Sequence, residues 1–334
     1  MRYFNIPIFI PELACPFRCV YCNQYNITGK LALPQSQDVI KTIESYLSTI
    51  PWQKSFVEVA FFGGSFTGLD MEKQNQYLSL VEPYIASQKV KGIRLSTRPD
   101  YISAKILENL KSHGVRSIEL GAQSLDDEIL ELSGRGHLVA DVEQAAAAIN
   151  AMGFELGLQM MTGLPKDTPD KAMETAKKIT QLKADTVRIY PTLVIKDTHL
   201  ARLYKAENHQ PQSLEEAVDL CAQLYLFFEN RKIKVLRMGL HPSEGFYDKN
   251  TMLGGPFHPA FGELVLTKVW EKKITNAVAV KKGKLLVVSV HPSNINAAIG
   301  HKALNRKRLE GQFDKVVFQA RTEVNPNQLY ADYH

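Results

Sequence analysis

Short apolar runs alternate with stretches of helical periodicity along the first 230 residues. Tyr3 to Ile10 is apolar and aromatic and reads as a buried strand, with Pro7 and Pro11 setting it near a sheet edge or ending it early. From Ser36 to Ile50, Val39, Ile40, Ile43, Tyr46, Leu47 and Ile50 recur at helical spacing. The exchange then repeats, with strands over 56–62, 93–97, 115–120, 154–161 and 186–190, and helices over 71–88, 103–112, 142–152, 168–182 and 213–230. Thr168-Pro169 supplies an N-cap with proline at the first helical position, and Ser213 with Glu216 forms a capping box. Six strand–helix units in succession predict parallel strands with right-handed crossovers. The expected fold is α/β, a partial (β/α)6 TIM-like barrel; a doubly wound sheet is the competing arrangement. Barrel chemistry sits at the carboxyl ends of strands. Each of the six ends here carries a polar or glycine-rich cluster: a cysteine loop, GGSFTG, TRPD, GAQS, TGLP and YPTL.

Composition adds a division. The 334 residues are 45% hydrophobic and 22% charged, ordinary for a globular chain with ample core. Residues 271–334 carry 11 Lys and Arg against 5 Asp and Glu, a net of +6, whereas the rest is close to neutral. The expected organisation is a barrel over 1–232, a barrel-closing or substrate-facing segment over 233–272, and a small basic α/β domain over 273–334. No apolar run is long enough to span a bilayer, and the amino terminus lacks the pattern of a secretory signal. With three of four cysteines clustered, the chain does not read as a disulfide framework, and the expected compartment is the cytoplasm.

Those three are Cys15, Cys19 and Cys22, in the loop after the first strand. A closed zinc site needs four ligands, whereas a cubane iron–sulfur cluster can use three thiolates and leave one iron open for chemistry. A zinc clip completed by a distant histidine stays open as an alternative. The fourth cysteine, Cys221, falls between Val218, Leu224 and Tyr225 on a helix and reads as core packing.

The spacing C-x3-C-x2-C, with aromatic Tyr21 before the last cysteine, resembles the cluster motif of radical S-adenosylmethionine enzymes. The resemblance implies a [4Fe-4S] cluster whose open iron takes the amine and carboxylate of S-adenosylmethionine. An electron donor such as flavodoxin or ferredoxin would then start cleavage to a deoxyadenosyl radical. GGSFTG resembles the family's amine-holding motif, which places Gly63, Gly64 and Ser65 at the cofactor; glycine permits the close backbone approach this needs. Ser96-Thr-Arg-Pro-Asp100, Glu119-Leu-Gly-Ala-Gln-Ser124, Gly134-Arg-Gly-His137, Thr162-Gly-Leu-Pro165 and Arg188-Ile-Tyr-Pro-Thr-Leu-Val194 resemble the catalytic subunit of Elongator. Oxygen-independent coproporphyrinogen oxidases share a fainter version. The resemblance implies that Gln123 bonds the cofactor's ribose or carboxylate and that Arg135 neutralises its carboxylate, for which an Arg fork is suited. Gln159 is expected at the ribose, and Arg98 joins the set by its place at a strand's carboxyl end. Two features depart from Elongator. Its first two cluster cysteines are more widely spaced, and residues 232–334 have nothing matching its acetyltransferase domain.

The remaining third offers further candidates. His241, Glu244, His258 and Glu263 lie in Gly- and Pro-rich stretches expected to face substrate. Ala277–Lys281 and Leu285–Val290, flanking Lys282-Gly283, read as a β-hairpin. A helix, the turn Gly300-His-Lys-Ala303, a basic helix and a strand then resemble the RNA-binding KH module, with Ala303 where that module has glycine. Gly300, Lys302, Arg306, Lys307 and Arg308 are the residues this places at RNA, transfer RNA being the expected substrate. The other readings are a radical enzyme acting on a small molecule such as a porphyrin, and a non-enzymatic iron–sulfur redox sensor that binds RNA.

Overall fold

In the computed structural model of the chain, the described residues are 2–11, 19–23, 32–240, 247, 250–278 and 282–333. Seven parallel strands form the main sheet: β1 (Arg2–Ile10), β2 (Ser55–Gly63), β3 (Gly92–Thr97), β4 (Val115–Gln123), β5 (Glu155–Thr162), β6 (Thr186–Pro191) and β8 (Lys234–Met238). They lie side by side in chain order, and β1 runs in register with β2 from Arg2 against Ser55 to Ile10 against Gly63. Between β6 and β8, the short β7 (Val194–Ile195) pairs antiparallel with β9 (Met252–Gly254) above the barrel. The first six strands are those expected. The seventh falls in the segment assigned to barrel closure, where five residues carrying Lys234 and Arg237 give only a weak apolar signal.

The sheet curls. Flat, it would hold its first and last strands roughly 29 Å apart, six inter-strand spacings of about 4.8 Å. Instead Lys234 at the start of β8 lies 4.3 Å from the ring of Tyr3 on β1, and Arg188 on β6 lies 4.8 Å from the ring of Phe62 on β2. These contacts exclude the flat doubly wound alternative and define an incomplete barrel.

Helices cover the outer face and bury the alternate residues of each strand. Val39, Ile43 and Leu47 of the 36–49 helix, Leu107 and Leu110 of the 104–112 helix and Ile179 of the 169–181 helix enter one core with Ile6, Val59, Ile93 and Ile118. Thr168 caps its helix at the backbone N–H of Lys171, and the Ser213–Glu216 capping box forms as the pattern expects. Cys221 is buried in this core, where burial pushes its thiol up to about 12.

The inner face is polar. Arg94 on β3 donates to Glu58 on β2 at 3.0 Å, Glu119 on β4 at 3.2 Å and Glu155 on β5 at 2.7 Å. Arg188 on β6 clasps Glu119 through two nitrogens at 2.6 and 3.0 Å. Glu119, only 1% exposed, is thus held by two guanidiniums. Buried charges persist where they are paired and hydrogen-bonded on several sides, and this layer closes the lower half of the barrel.

The helix Phe261–Ala277 joins barrel and tail. Its Phe261, Val265 and Val269 enter the barrel core, while Trp270 and Ile274 pack with Leu286, Val288 and Phe313 in a second core. The expected boundary at 272/273 cuts through this shared helix. The tail sheet has β10 (Gly283–Val290) between β11 (Phe313–Ala320), parallel, and β12 (Leu329–Tyr333), antiparallel. Both edges of β10 are therefore occupied, and its expected hairpin with 277–281 does not form; Ala277 ends the helix and 279–281 lie outside the described residues. Between β10 and β11 run the short helices Ile295–Ile299 and Leu304–Glu310, in the expected helix–turn–helix order. No helix among the described residues is long and apolar enough to cross a membrane.

Candidate active site at the barrel mouth

The described part of the cysteine loop lies over the carboxyl ends of the strands. Cys15 is outside the described residues; Cys19 is buried and Cys22 half-buried. The backbone N–H of Cys22 donates to the Cys19 carbonyl at 3.0 Å, closing a tight turn. Two further bonds hold the loop, from Val20 to the Ser133 carbonyl and from Leu200 to the Val20 carbonyl.

Arg135 reaches this turn from the loop after the short helix Asp127–Leu132 that follows β4. One terminal nitrogen lies 3.2 Å from the Cys19 thiol and 3.5 Å from the Tyr21 hydroxyl; the other donates to the Gly121 carbonyl. Its backbone is set by Gly134 and Gly136, at φ of 63° and 70°, a conformation that disfavours side chains with a Cβ. Its Nε donates to Nε2 of His137 at 3.2 Å. Burial first, then the guanidiniums of Arg135 and Arg98, push the His137 imidazole down to about 4. A neutral ring that accepts at Nε2 carries its proton on Nδ1, so His137 fixes the Arg135 fork without competing for its charge.

Arg98 is held by Asp100 through two bonds of 2.9 Å and donates to the Arg135 carbonyl at 2.6 Å. It is buried and anchors the Arg135 loop from beneath. Gln159, half-buried on β5, bonds Ser96 at 3.2 Å and Glu119 at 3.3 Å, which places it at the upper edge of the ionic layer. Gln123 ends β4 with φ of 66°, where the register with β5 shifts. Its side-chain oxygen is buried and accepts no hydrogen bond from any described residue. Gly63 has φ of 116°, and a Cβ there would overlap the Ile10 carbonyl and the Phe9 ring. Glycine is therefore demanded by the approach of β2 to the end of β1, where the cysteine loop departs. Gly64 donates to the Ile10 carbonyl at 2.6 Å, and Ser65 is buried beside it.

The remaining candidates lie elsewhere. His241 and Glu244 are outside the described residues. His258 borders a small open cleft past the ends of β6 and β8, lined otherwise mainly by Pro191, Leu193, Leu240, Phe257 and Phe261. Glu263 pairs with His301 at 3.0 Å, and the His301 ring meets the His258 ring edge to face at 5.6 Å. The tail's turn is thereby joined to the cleft. Gly300 is buried at φ of 88°, and a Cβ there would lie 2.8 Å from the Thr267 methyl, so packing requires glycine. Lys302 and Lys307 are exposed, Arg306 lies 5.6 Å from the Phe318 ring, and Arg308 donates to Thr275 at 3.3 Å.

Sequence reasoning gave no role to His137, Asp100 or Gly121, all of which set Arg135 or its supports. All three sit in quoted motifs, GRGH, TRPD and GAQS; the motifs do not record that Arg98 of TRPD and Gly121 of GAQS both meet Arg135 of GRGH.

The donor set fits an iron–sulfur cluster with a carboxylate-bearing cofactor beside it. Two described thiols sit at the mouth, a buried guanidinium meets one of them, and a buried amide oxygen on Gln123 waits for a donor. Residues 10–179 match the model of the radical SAM superfamily and residues 184–271 match the radical SAM C-terminal domain. The chain belongs to the radical SAM superfamily, whose enzymes use a [4Fe-4S] cluster and S-adenosylmethionine. Within it, the chain is 25% identical over 239 residues to tRNA uridine(34) acetyltransferase of Dehalococcoides mccartyi, covering 62% of this chain and 52% of that protein. It is 29% identical over 188 residues to Elongator complex protein 3 of Saccharomyces cerevisiae, covering 50% of this chain and 34% of that protein. The solved structure of archaeal Elp3 from Methanocaldococcus infernus, lacking residues 1–46, shares the fold at a TM-score of 0.63 and 22% identity, over 81% of this chain and 63% of that one. The chain thus spans about half, or less, of these two curated relatives.

Proposed function

We propose that this radical SAM enzyme modifies transfer RNA, with the basic tail presenting the RNA to the barrel mouth. The contact between His301, in the tail's turn, and His258, at the cleft past β6 and β8, carries this reading, because it sets a basic element at the rim of the site. The relative from Dehalococcoides mccartyi is named a tRNA uridine(34) acetyltransferase, which supports the substrate class. Lys302 and Lys307 are the exposed cations of the turn and the helix after it, and Arg306 and Arg308 lie behind them.

Cys15, Cys19 and Cys22 would hold the cluster, Gly63, Gly64 and Ser65 the amine of the cofactor, and Gln123 and Arg135 its ribose and carboxylate. When bound, the cluster and cofactor supply a carbon-centred radical that abstracts hydrogen from substrate, given an electron from a donor such as flavodoxin or ferredoxin. The chain's own part is positional. Arg98 and Asp100 fix the Arg135 backbone, His137 fixes its fork, and the paired layer of Glu58, Arg94, Glu119 and Arg188 lies below.

The test is tRNA binding as a function of salt. Neutralising two phosphate contacts should flatten the slope by about 1.4 for a single strand. The Lys302→Glu/Lys307→Glu double variant should show that loss, whereas Lys177→Glu, on the outer face of the barrel, should match wild type. No tRNA binding by the cluster-loaded wild type at low salt would reject the substrate assignment.

A further inference from the structure

Arg188 and Arg237 are register partners on β6 and β8, so both side chains leave the same face of the sheet, toward the barrel interior. Parallel neighbours lie about 4.8 Å apart, and like charges directly opposite each other are unfavourable. Arg188 answers this with its two bonds to Glu119. Arg237 has no such answer. Its Nε donates to the Gly239 carbonyl at 3.0 Å, and no described carboxylate pairs with it. Burial first, and Arg188 after it, disfavour its charge, with the Tyr190 hydroxyl alone opposing them. Among the described residues, Arg94, Arg188 and Arg237 line the interior, and the one nearest the open edge of the barrel is half-buried with a carbonyl as its acceptor.

A half-buried guanidinium beside a second one is costly unless an anion completes it. The ionic layer cannot supply that anion, because Glu58, Glu119 and Glu155 are engaged by Arg94 and Arg188. We infer that Arg237, flanked by Tyr190, is a substrate subsite that receives an oxyanion, a phosphate or a carboxylate, of the molecule entering the barrel beside the open edge at β8. A guanidinium presents a planar fork that suits either group, and Gly239, two residues on, keeps its Nε oriented by its carbonyl. The subsite stands on the charge balance of the barrel interior and does not depend on the substrate being RNA.

The test uses cluster-loaded protein and calorimetric titration with uridine 5′-monophosphate, uridine and malonate. Wild type should bind the monophosphate or malonate more tightly than uridine. Arg237→Gln should weaken that binding by about ten- to hundredfold, the range for a hydrogen bond to a charged group. Arg237→Lys should restore part of it, and Arg231→Gln, outside the barrel, should leave it unchanged. Iron content and melting temperature establish that each variant is folded. Preference for the monophosphate identifies a phosphate; preference for malonate identifies a carboxylate, and would keep the subsite while removing the nucleotide reading of the substrate. Equal affinity of wild type and a folded Arg237→Gln for both anions, or no anion binding by wild type, would overturn the inference.

Discussion

The two halves of the barrel interior are built on opposite rules. Below, Glu58, Arg94, Glu119, Glu155 and Arg188 pair so fully that each of these five charges has a partner within 3.2 Å. Above, at the mouth, the Gln123 oxygen accepts nothing from the described residues and Arg135 spends its bonds on a thiol, a carbonyl and a neutral histidine. A closed network serves the fold, since a missing partner there leaves a charge buried and unpaired. An incomplete one serves a ligand, since the groups left over are those the ligand completes. Substitutions should therefore lose stability in the lower layer and ligand in the upper one.

The largest effect expected is at the cluster. Anaerobically reconstituted wild type should hold about four irons, and Cys15→Ala, Cys19→Ala or Cys22→Ala should each lose nearly all of it. Cys221→Ala should keep its iron, because that thiol is buried in the helical core, with its pKa pushed up to about 12. Iron analysis and visible absorption decide this, and loss of iron from the Cys221 variant would refute the three-cysteine assignment.

Next comes the contrast between Glu119 and Gln123. Glu119→Gln removes the charge that two guanidiniums share and should cost roughly 3–5 kcal/mol, the cost of breaking a buried pair. Gln123→Leu removes an oxygen that accepts no described donor; it should change stability by less than about 1 kcal/mol and yet weaken S-adenosylmethionine binding. Urea unfolding and cofactor titration on both variants separate the two roles. A large stability loss at Gln123 would mean that the mouth is part of the closed network.

The smallest of these effects is pH-dependent. His137 is held at about 4 in the folded protein against an ordinary 6.5, so the unfolded chain binds its proton first as pH falls. Its contribution is fully present above pH 6.5 and is lost between 6.5 and 4, at most roughly 3 kcal/mol for a shift of that size. His137→Gln, neutral throughout, should flatten the acid limb of a melting-temperature profile over that window. An unchanged acid limb would show that His137 is not the group that couples protonation to the Arg135 loop.

The local pattern determined much of this protein. Strand and helix periods set six of the seven barrel strands, because an apolar run of five to nine residues facing a helical layer is written in consecutive positions. The cysteine spacing, the glycine motifs and GRGH marked the mouth for the same reason: each is a contiguous loop at a strand end. The seventh strand escaped because KVLRM buries too little to stand out. What only the tertiary structure decided was which side chains face one another. Gln159 bonds Ser96 and Glu119, and Arg98 bonds the Arg135 carbonyl, each across separate segments. β10 took its partners from residues 313–333 rather than from the segment just before it, since both cover the core that Trp270 and Ile274 open. Such pairings depend on strand order and on curvature, which bring Arg188 to Phe62 across 126 residues. No local period records a contact of that kind, because its energy is gained only once the sheet has closed.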